Sequence, residues 1–108
     1  MNQLISELIT LSSDRIQTAL ERMEINGLKI VLVIDESQTL LGVITNGDIR
    51  RHMLHSGKST DLVTSCMNKN FRSVKTSASR EEILKLLDLG FHVVPRLDDA
   101  GKLVDIVT

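Results

Sequence analysis

Tryptophan and tyrosine are absent from this 108-residue chain, and phenylalanine occurs only at Phe71 and Phe91. So sparse an aromatic set cannot build the stacking platform that holds single-stranded nucleic acid. A surplus of positive charge is also lacking: 13 Lys and Arg stand against 14 Asp and Glu, for a formal net charge of −1. Neutralising a phosphate backbone takes clustered cations in excess, so no nucleic-acid partner is expected. The single cysteine, Cys66, has no partner for an internal disulfide and reads as a small buried hydrophobe. With no signal peptide and no apolar run of membrane-spanning length, a cytoplasmic protein without a membrane partner is expected.

Catalytic and metal signatures are missing too. His52 and His55 can share a helix face, but no carboxylate or thiolate nearby in sequence completes a ligand set, so no metal site is expected. Ser12, Ser13, Ser77 and Ser79 belong to turns and caps with no base paired to them, and Glu81 and Glu82 read as exposed helix charges. The glycines are scattered, so no phosphate-cradling loop forms. These absences predict a chain with no catalytic residues and no required cofactor, not an enzyme in its own right.

What is present is the balance of a globular protein, 42% apolar and 25% charged. It also holds a repeat. Slid along itself by 63 residues, the chain aligns without a gap over 27–45 and 90–108. Gly27-Leu28-Lys29-Ile30-Val31-Leu32-Val33-Ile34-Asp35 falls on Gly90-Phe91-His92-Val93-Val94-Pro95-Arg96-Leu97-Asp98, and Leu40–Thr45 falls on Leu103–Thr108. Both copies read as strand, acidic turn, strand, and the turns are too short for a crossover, so each copy is an antiparallel hairpin. The unbroken β-branched run Ile30 to Ile34 predicts a strand buried on both faces.

A helix precedes each hairpin. In the first, Ile16, Ala19, Leu20 and Met23 keep helical spacing, with Ser12, Ser13 and Asp14 as candidate N-caps and Gly27 as the stop. In the second, Ser79 and Glu82 predict a capping box, Ile83, Leu86 and Leu87 a buried stripe, and Gly90 the stop. Asn46-Gly47-Asp48 opens a further helix to about His55, and a polar linker from Ser56 to Asp61 leads to a short helical segment ending near Met67. The order is β-α-β-β-α, then the same again as far as the sequence runs.

Gly42-Val43-Ile44-Thr45-Asn46-Gly47-Asp48-Ile49-Arg50 resembles the signature of the CBS family, glycine, two apolar residues, Thr or Ser, two of any kind, then Asp. The linker stretch Cys66-Met67-Asn68-Lys69-Asn70 is similar to one that introduces a second CBS unit. The resemblance implies an α/β (α+β layered) fold: tandem β-α-β-β-α CBS repeats packed about a pseudo-two-fold, with a cleft between the sheets. The repeats are expected at 1–66 and 67–108, the second truncated, because the chain stops three residues before a second signature Asp would fall. Two further departures stand out: Asp105 where the signature has Gly, and Arg96 at a strand position that is usually apolar.

The resemblance implies regulation by AMP, ADP, ATP or a related adenosyl ligand, a homodimer, and an attached catalytic domain in a longer parent. Thr45-Asn46-Gly47-Asp48-Ile49-Arg50-Arg51 and Ser79–Leu86 narrow it to CBS pairs fused N-terminally to sugar nucleotidyltransferases. Sugar-phosphate isomerases carry a similar pair at the C-terminus. Met1 lying just before the first unit favours the former arrangement. For the site, Asp48 is the expected acceptor for a ribose diol, Thr45 offers a hydroxyl, Gly47 allows close backbone approach, and Asn46 is expected at the site with them. Arg50 and Arg51 are the expected phosphate partners, since Asp48 itself repels phosphate. Leu11 and Ile30, Val31 and Leu32 are expected as aliphatic walls for adenine, with no aromatic to stack on. Thr45-x-x-Asp48 is equally a capping-box pattern, and the two roles are compatible. Lys29 and His92 read as polar edge residues. A different class of function, a ligand-free dimerisation or assembly module of a larger enzyme, remains open at this point.

Overall fold

The computed structural model describes residues 6–108; residues 1–5, with which the expected first repeat opens, lie outside them. Two three-stranded sheets make up the frame. The first unit runs β1 (Ile9–Leu11), α1 (Ile16–Asn26), β2 (Ile30–Ile34), β3 (Leu40–Thr45) and α2 (Asn46–Leu54). After a 3₁₀ turn at Val63–Ser65, the second runs β4 (Val74–Lys75), α3 (Arg80–Asp88), β5 (Val94–Leu97) and β6 (Leu103–Val107). In each sheet the middle strand pairs parallel with the first strand and antiparallel with the last. This is the expected order of elements.

The repeat is reproduced down to its register. Val31, Leu32, Val33 and Ile34 face Ile44, Val43, Gly42 and Leu40, with a bulge between Val33 and Ile34. Their counterparts Val94, Pro95, Arg96 and Leu97 face Val107, Ile106, Asp105 and Leu103, with the bulge in the same place. The hairpin turns then meet each other. Thr39 bridges Lys102, its own counterpart in the repeat. Leu40 N–H donates to the Gly101 carbonyl at 3.2 Å, and Leu103 N–H to the Gln38 carbonyl at 2.9 Å. Each bond is the mate of the other, so the pseudo-two-fold passes between them.

Strand alternation divides the core. Val31 and Val33 point to the helices and pack with Ile16, Ala19, Met23, Ile44, Ile49 and Val63. Leu32 and Ile34 point the other way, to a second cluster on the axis with Leu8, Leu40, Val93 and Leu103. β2 is therefore covered on both faces, as its composition predicts. Fully burying one such aliphatic side chain stabilises by about 1.5–3 kcal/mol.

Four local expectations need correction. α1 begins at Ile16, and its N-cap, Arg15, makes no side-chain cap bond. Ser12, Ser13 and Asp14 do not cap it; the Asp14 carboxylate instead accepts from Leu11 N–H at 2.8 Å and from the Thr10 hydroxyl at 2.9 Å, closing the strand-to-helix corner. The first-turn N–H groups of α1 are satisfied from the linker: Ile16 donates to the Asp61 carbonyl and Gln17 to the Ser59 carbonyl, both at 2.9 Å. Leu20 stands at the rim of α1, exposed, rather than in its buried stripe. In α3 no residue is fully buried, and Ile83, Leu86 and Leu87 are half-covered. Ser79 does accept the Glu82 N–H there, but the Glu82 side chain does not reach back to the Ser79 N–H, so the expected capping box is half formed. At the other end, Gly90 (φ 96°) closes a Schellman motif, with Gly90 N–H on the Leu87 carbonyl and Phe91 N–H on that of Leu86. α1 ends more abruptly, on Gly27 at φ 69°.

The two departures from the signature are partners. Arg96 and Asp105 lie opposite each other, and the guanidinium donates to both carboxylate oxygens, at 2.6 and 2.9 Å. The equivalent pair in the first unit is Val33 and Gly42. There the linker crosses the sheet: Val43 and Asn68 exchange both backbone bonds, at 2.7 and 3.0 Å. A Cβ on Gly42 would lie 2.9 Å from the Asn68 carbonyl oxygen and 3.0 Å from Met67 Sδ. Glycine is required where the strap passes, and the Arg96–Asp105 pair occupies the matching place in the second unit.

Candidate functional site

Between the sheets lies a cleft with two lobes. The inner lobe, of about 200 Å³, is walled by Ile30, Val43 and Thr45 of the first unit and Phe71, Phe91, Val93 and Pro95 of the second, with Asn68, Asn70 and Arg72 at its edge. The second lobe, of about 210 Å³, shares Ile30, Thr45, Phe91 and Val93 and adds Leu28, Lys29, Gly90 and His92. Four shared residues make them one groove. Three matched pairs line the second lobe (Leu28 with Phe91, Lys29 with His92, Ile30 with Val93), so it straddles the pseudo-axis.

Several expected site residues are placed differently. Val31 and Leu32 are fully buried in the two core clusters, so their side chains are not available as walls; Ile30, at the open end of β2, is. Leu11 pairs with Ile34 at the far end of β2, outside the lining of the groove. The groove also has aromatics, contrary to expectation: both phenylalanines of the chain line it. Phe71 arrives on the linker and Phe91 directly follows Gly90. Asn68, Asn70 and Arg72 were missed as well, because a segment without periodicity gives no sign of where it lies. Lys29 and His92 are not mere edge residues, since both line the axial lobe.

The signature residues Thr45 and Asp48 form the capping box of α2. Thr45 Oγ accepts the Asp48 N–H at 3.3 Å, and Asp48 Oδ2 accepts the Thr45 N–H at 2.9 Å and the Thr45 hydroxyl at 3.0 Å. Asp48 Oδ1 accepts Arg51 Nη2 at 2.7 Å, leaving the Asp48 side chain 10% exposed. Removing that carboxylate removes half of a cap worth about 1 kcal/mol, so the change is not silent in stability. Arg51 is turned onto Asp48, and Arg50 is exposed on α2; of the expected signature residues only Thr45 lines the groove, and Gly47, Asp48, Arg50 and Arg51 do not. Gly47 lies beneath the Arg51 guanidinium, 3.3 Å from where its Cβ would be. Asn46 lines a separate hollow with Leu20, Met23, Glu24, Gly27 and Lys29.

The ionisable side chains lining the groove are Arg72, Lys29 and His92, with no carboxylate among them. Elsewhere, His52 Nε2 lies 2.9 Å from Asp61 Oδ2, which also accepts the Lys58 N–H at 2.8 Å. The Lys58 N–H and then the His52 ring hold the Asp61 carboxyl below its ordinary value. Burial, followed by the charges of Asp48 and Asp61, pushes the Cys66 thiol up to about 11. Among the described residues no cluster of metal-ligating side chains occurs, and no helix is long and apolar enough to cross a membrane.

The CBS domain family model matches residues 4–55 and 61–108, and this chain belongs to that family. It is a regulatory module rather than a catalytic one. It is 32% identical over 98 residues to an uncharacterized protein of Methanopyrus kandleri, with 85% of this chain and 50% of that one covered. It is 28% identical over 93 residues to the arabinose 5-phosphate isomerase GutQ of Salmonella typhi, covering 85% of this chain and 29% of the isomerase. The chain therefore spans about half of one relative's length and under a third of the other's. Among solved structures, CBSX2 in complex with AMP superposes with a TM-score of 0.76 at 27% identity, over 95% of this chain and 82% of that one.

Proposed function

We propose that the groove binds an adenine nucleotide (AMP, ADP or ATP), and that its occupancy regulates an effector attached to the module in a longer protein. One observation carries this reading: both phenylalanines line a mainly apolar cleft whose ionisable groups are all basic. A flat heteroaromatic ring gains most from such walls, and a phosphorylated ligand from such charges. The likeness to CBSX2, solved with AMP, supports it. Asp48 takes the ribose diol in this proposal once Arg51 releases Oδ1. The division of repeats is placed at 66/67, next to Met67 and Asn68, which strap the first sheet to the cleft. The attached effector is a sugar nucleotidyltransferase or a sugar-phosphate isomerase acting in the cytoplasm, the latter supported by the match to GutQ.

Regulation requires that the nucleotide bind two states of the parent with different affinity. The test begins with the purified chain. It has no Trp or Tyr, so released adenine stands out in the ultraviolet spectrum of a heat-denatured, filtered sample. Adenine near one per chain in the filtrate, or a thermal shift on adding AMP or ATP, is expected. An empty filtrate and no shift with any nucleotide overturn the proposal.

A second reading, a homodimeric assembly module, is favoured by exposed apolar side chains on the helices: Ile25 at 61%, Leu54 at 76% and Leu89, which caps α3, at 72%. Light scattering of the nucleotide-free chain tests it. A monomer at all concentrations refutes it.

A further inference from the structure

We infer that Arg51 is an internal competitor for the ribose position: its guanidinium holds the one Asp48 oxygen that a ligand's diol can use, and a ribose binds by displacing it. This rests on the nucleotide reading of the groove, and it gives Arg51 a role other than the phosphate contact expected from the sequence. The two oxygens of Asp48 are not equivalent. Oδ2 is committed to the capping box of α2, accepting the Thr45 N–H at 2.9 Å and the Thr45 hydroxyl at 3.0 Å. Oδ1 accepts from Arg51 Nη2 at 2.7 Å. Each carboxylate oxygen has two lone pairs, so Oδ1 is the oxygen left for a ligand. Thr45, to which Asp48 is bonded, lines both lobes of the groove, whereas Asp48 lines neither.

The cover over Asp48 is light. The Asp48 side chain is 10% exposed, but that of Arg51 is 67% exposed. The guanidinium lies across the first turn of α2, with Nη1 3.3 Å and Nη2 3.6 Å from the point where a Gly47 Cβ would be. It thus shields both the Gly47 backbone and Asp48 Oδ1. An exposed ion pair of this kind is cheaply opened, because solvent takes up the freed cation. A diol offers Oδ1 two hydroxyl donors in place of one guanidinium donor, and so gains from the exchange. A ligand without the diol gains nothing by opening the pair. Arg51 therefore lowers the affinity of the groove for ribose-bearing ligands and leaves others untouched.

The test is calorimetric titration of the whole chain with AMP, adenosine and 2′,3′-dideoxyadenosine, in the wild type, Arg51→Gln, Asp48→Asn and the double variant. The Arg51 side chain stands largely in solvent, so Arg51→Gln is expected to fold, and circular dichroism checks each variant. Arg51→Gln should raise adenosine affinity about two- to fivefold, the range that an exposed ion pair spans, and leave the affinity for dideoxyadenosine unchanged. In the Asp48→Asn background the same substitution should do nothing, since no carboxylate is left to free. Adenosine affinity that stays level or falls in Arg51→Gln overturns the inference. An equal rise for both nucleosides overturns it as well, because Arg51 would then cover the groove without competing for the diol. In each of these cases AMP binding by the wild type leaves the nucleotide reading standing. If none of the three compounds binds any form, the nucleotide reading fails and the inference with it.

Discussion

Substituting Gly42 by alanine tests whether the linker strap holds the cleft together. Gly42 is not among the residues with positive φ, so alanine suits its backbone. Taken alone, the change would stabilise by about 0.4–1 kcal/mol through the unfolded chain. Against that stands the new methyl, 2.9 Å from a backbone oxygen of Asn68 and 3.0 Å from Met67 Sδ. The methionine can swing aside; the carbonyl cannot move without breaking the paired bonds between Val43 and Asn68. Two backbone hydrogen bonds contribute about 1–3 kcal/mol net. The balance is a loss of about 1–2 kcal/mol, which for a domain of this size lowers the melting temperature by about 5–15 °C. Circular dichroism follows the melt, and amide exchange reads Asn68 and Val43 individually. Both amides should lose protection while Ile44, deeper in the hairpin, keeps it. AMP affinity should fall as well, because Asn68, Asn70, Phe71 and Arg72 all line the groove. An unchanged or higher melting temperature, with Asn68 still protected, refutes the account of the strap.

Acid should act through Asp61, whose carboxyl lies below its ordinary value of 3.8. Such a group stabilises the fold fully above its unfolded value, and the stability is lost as pH falls through the folded value, here below about pH 4. Asp61→Asn should flatten the fall of melting temperature in that window, and an unchanged acid-side slope would show the pairing with Lys58 and His52 to be inconsequential. Cys66, its thiol raised from 9.0 to about 11, should be alkylated at mildly alkaline pH ~100-fold more slowly in the folded chain than in denaturant. Equal rates would contradict the burial.

The fold was legible because its information is local and stated twice. The aligned runs from Gly27 and Gly90 carried both hairpins and both helix stops, and two copies of one unit imply a pseudo-two-fold. The repeat even held more than composition suggests: Val33 faces Gly42, so Arg96 must face Asp105, and two separate departures from the signature become one ion pair. Where an element depends on a distant part of the chain, local pattern misleads. Ser12, Ser13 and Asp14 are good cap residues in the right place. Yet α1 takes its N-terminal acceptors from Ser59 and Asp61, supplied by a linker that no cap rule reaches.

The groove was hidden for the same reason. Thr45 and Asp48 were visible as a motif, and the structure engages them with each other. The walls that a ligand would meet come from the ends of the repeat units and the segment between them. The unbroken apolar run predicts β2 buried on both faces, which already counts against Val31 and Leu32 as ligand walls, and a binding surface needs residues at the edge of that pattern. Ile30 qualifies because it sits at the end of β2, where burial gives way to solvent. Phe91 and Leu28 are counterparts, as are His92 and Lys29, and only the symmetry of the assembled pair turns two exposed turns into one cavity. In a tandem repeat of this kind, the positions to examine for ligand contact are those whose two copies converge on the axis, ahead of those that match a signature within one copy.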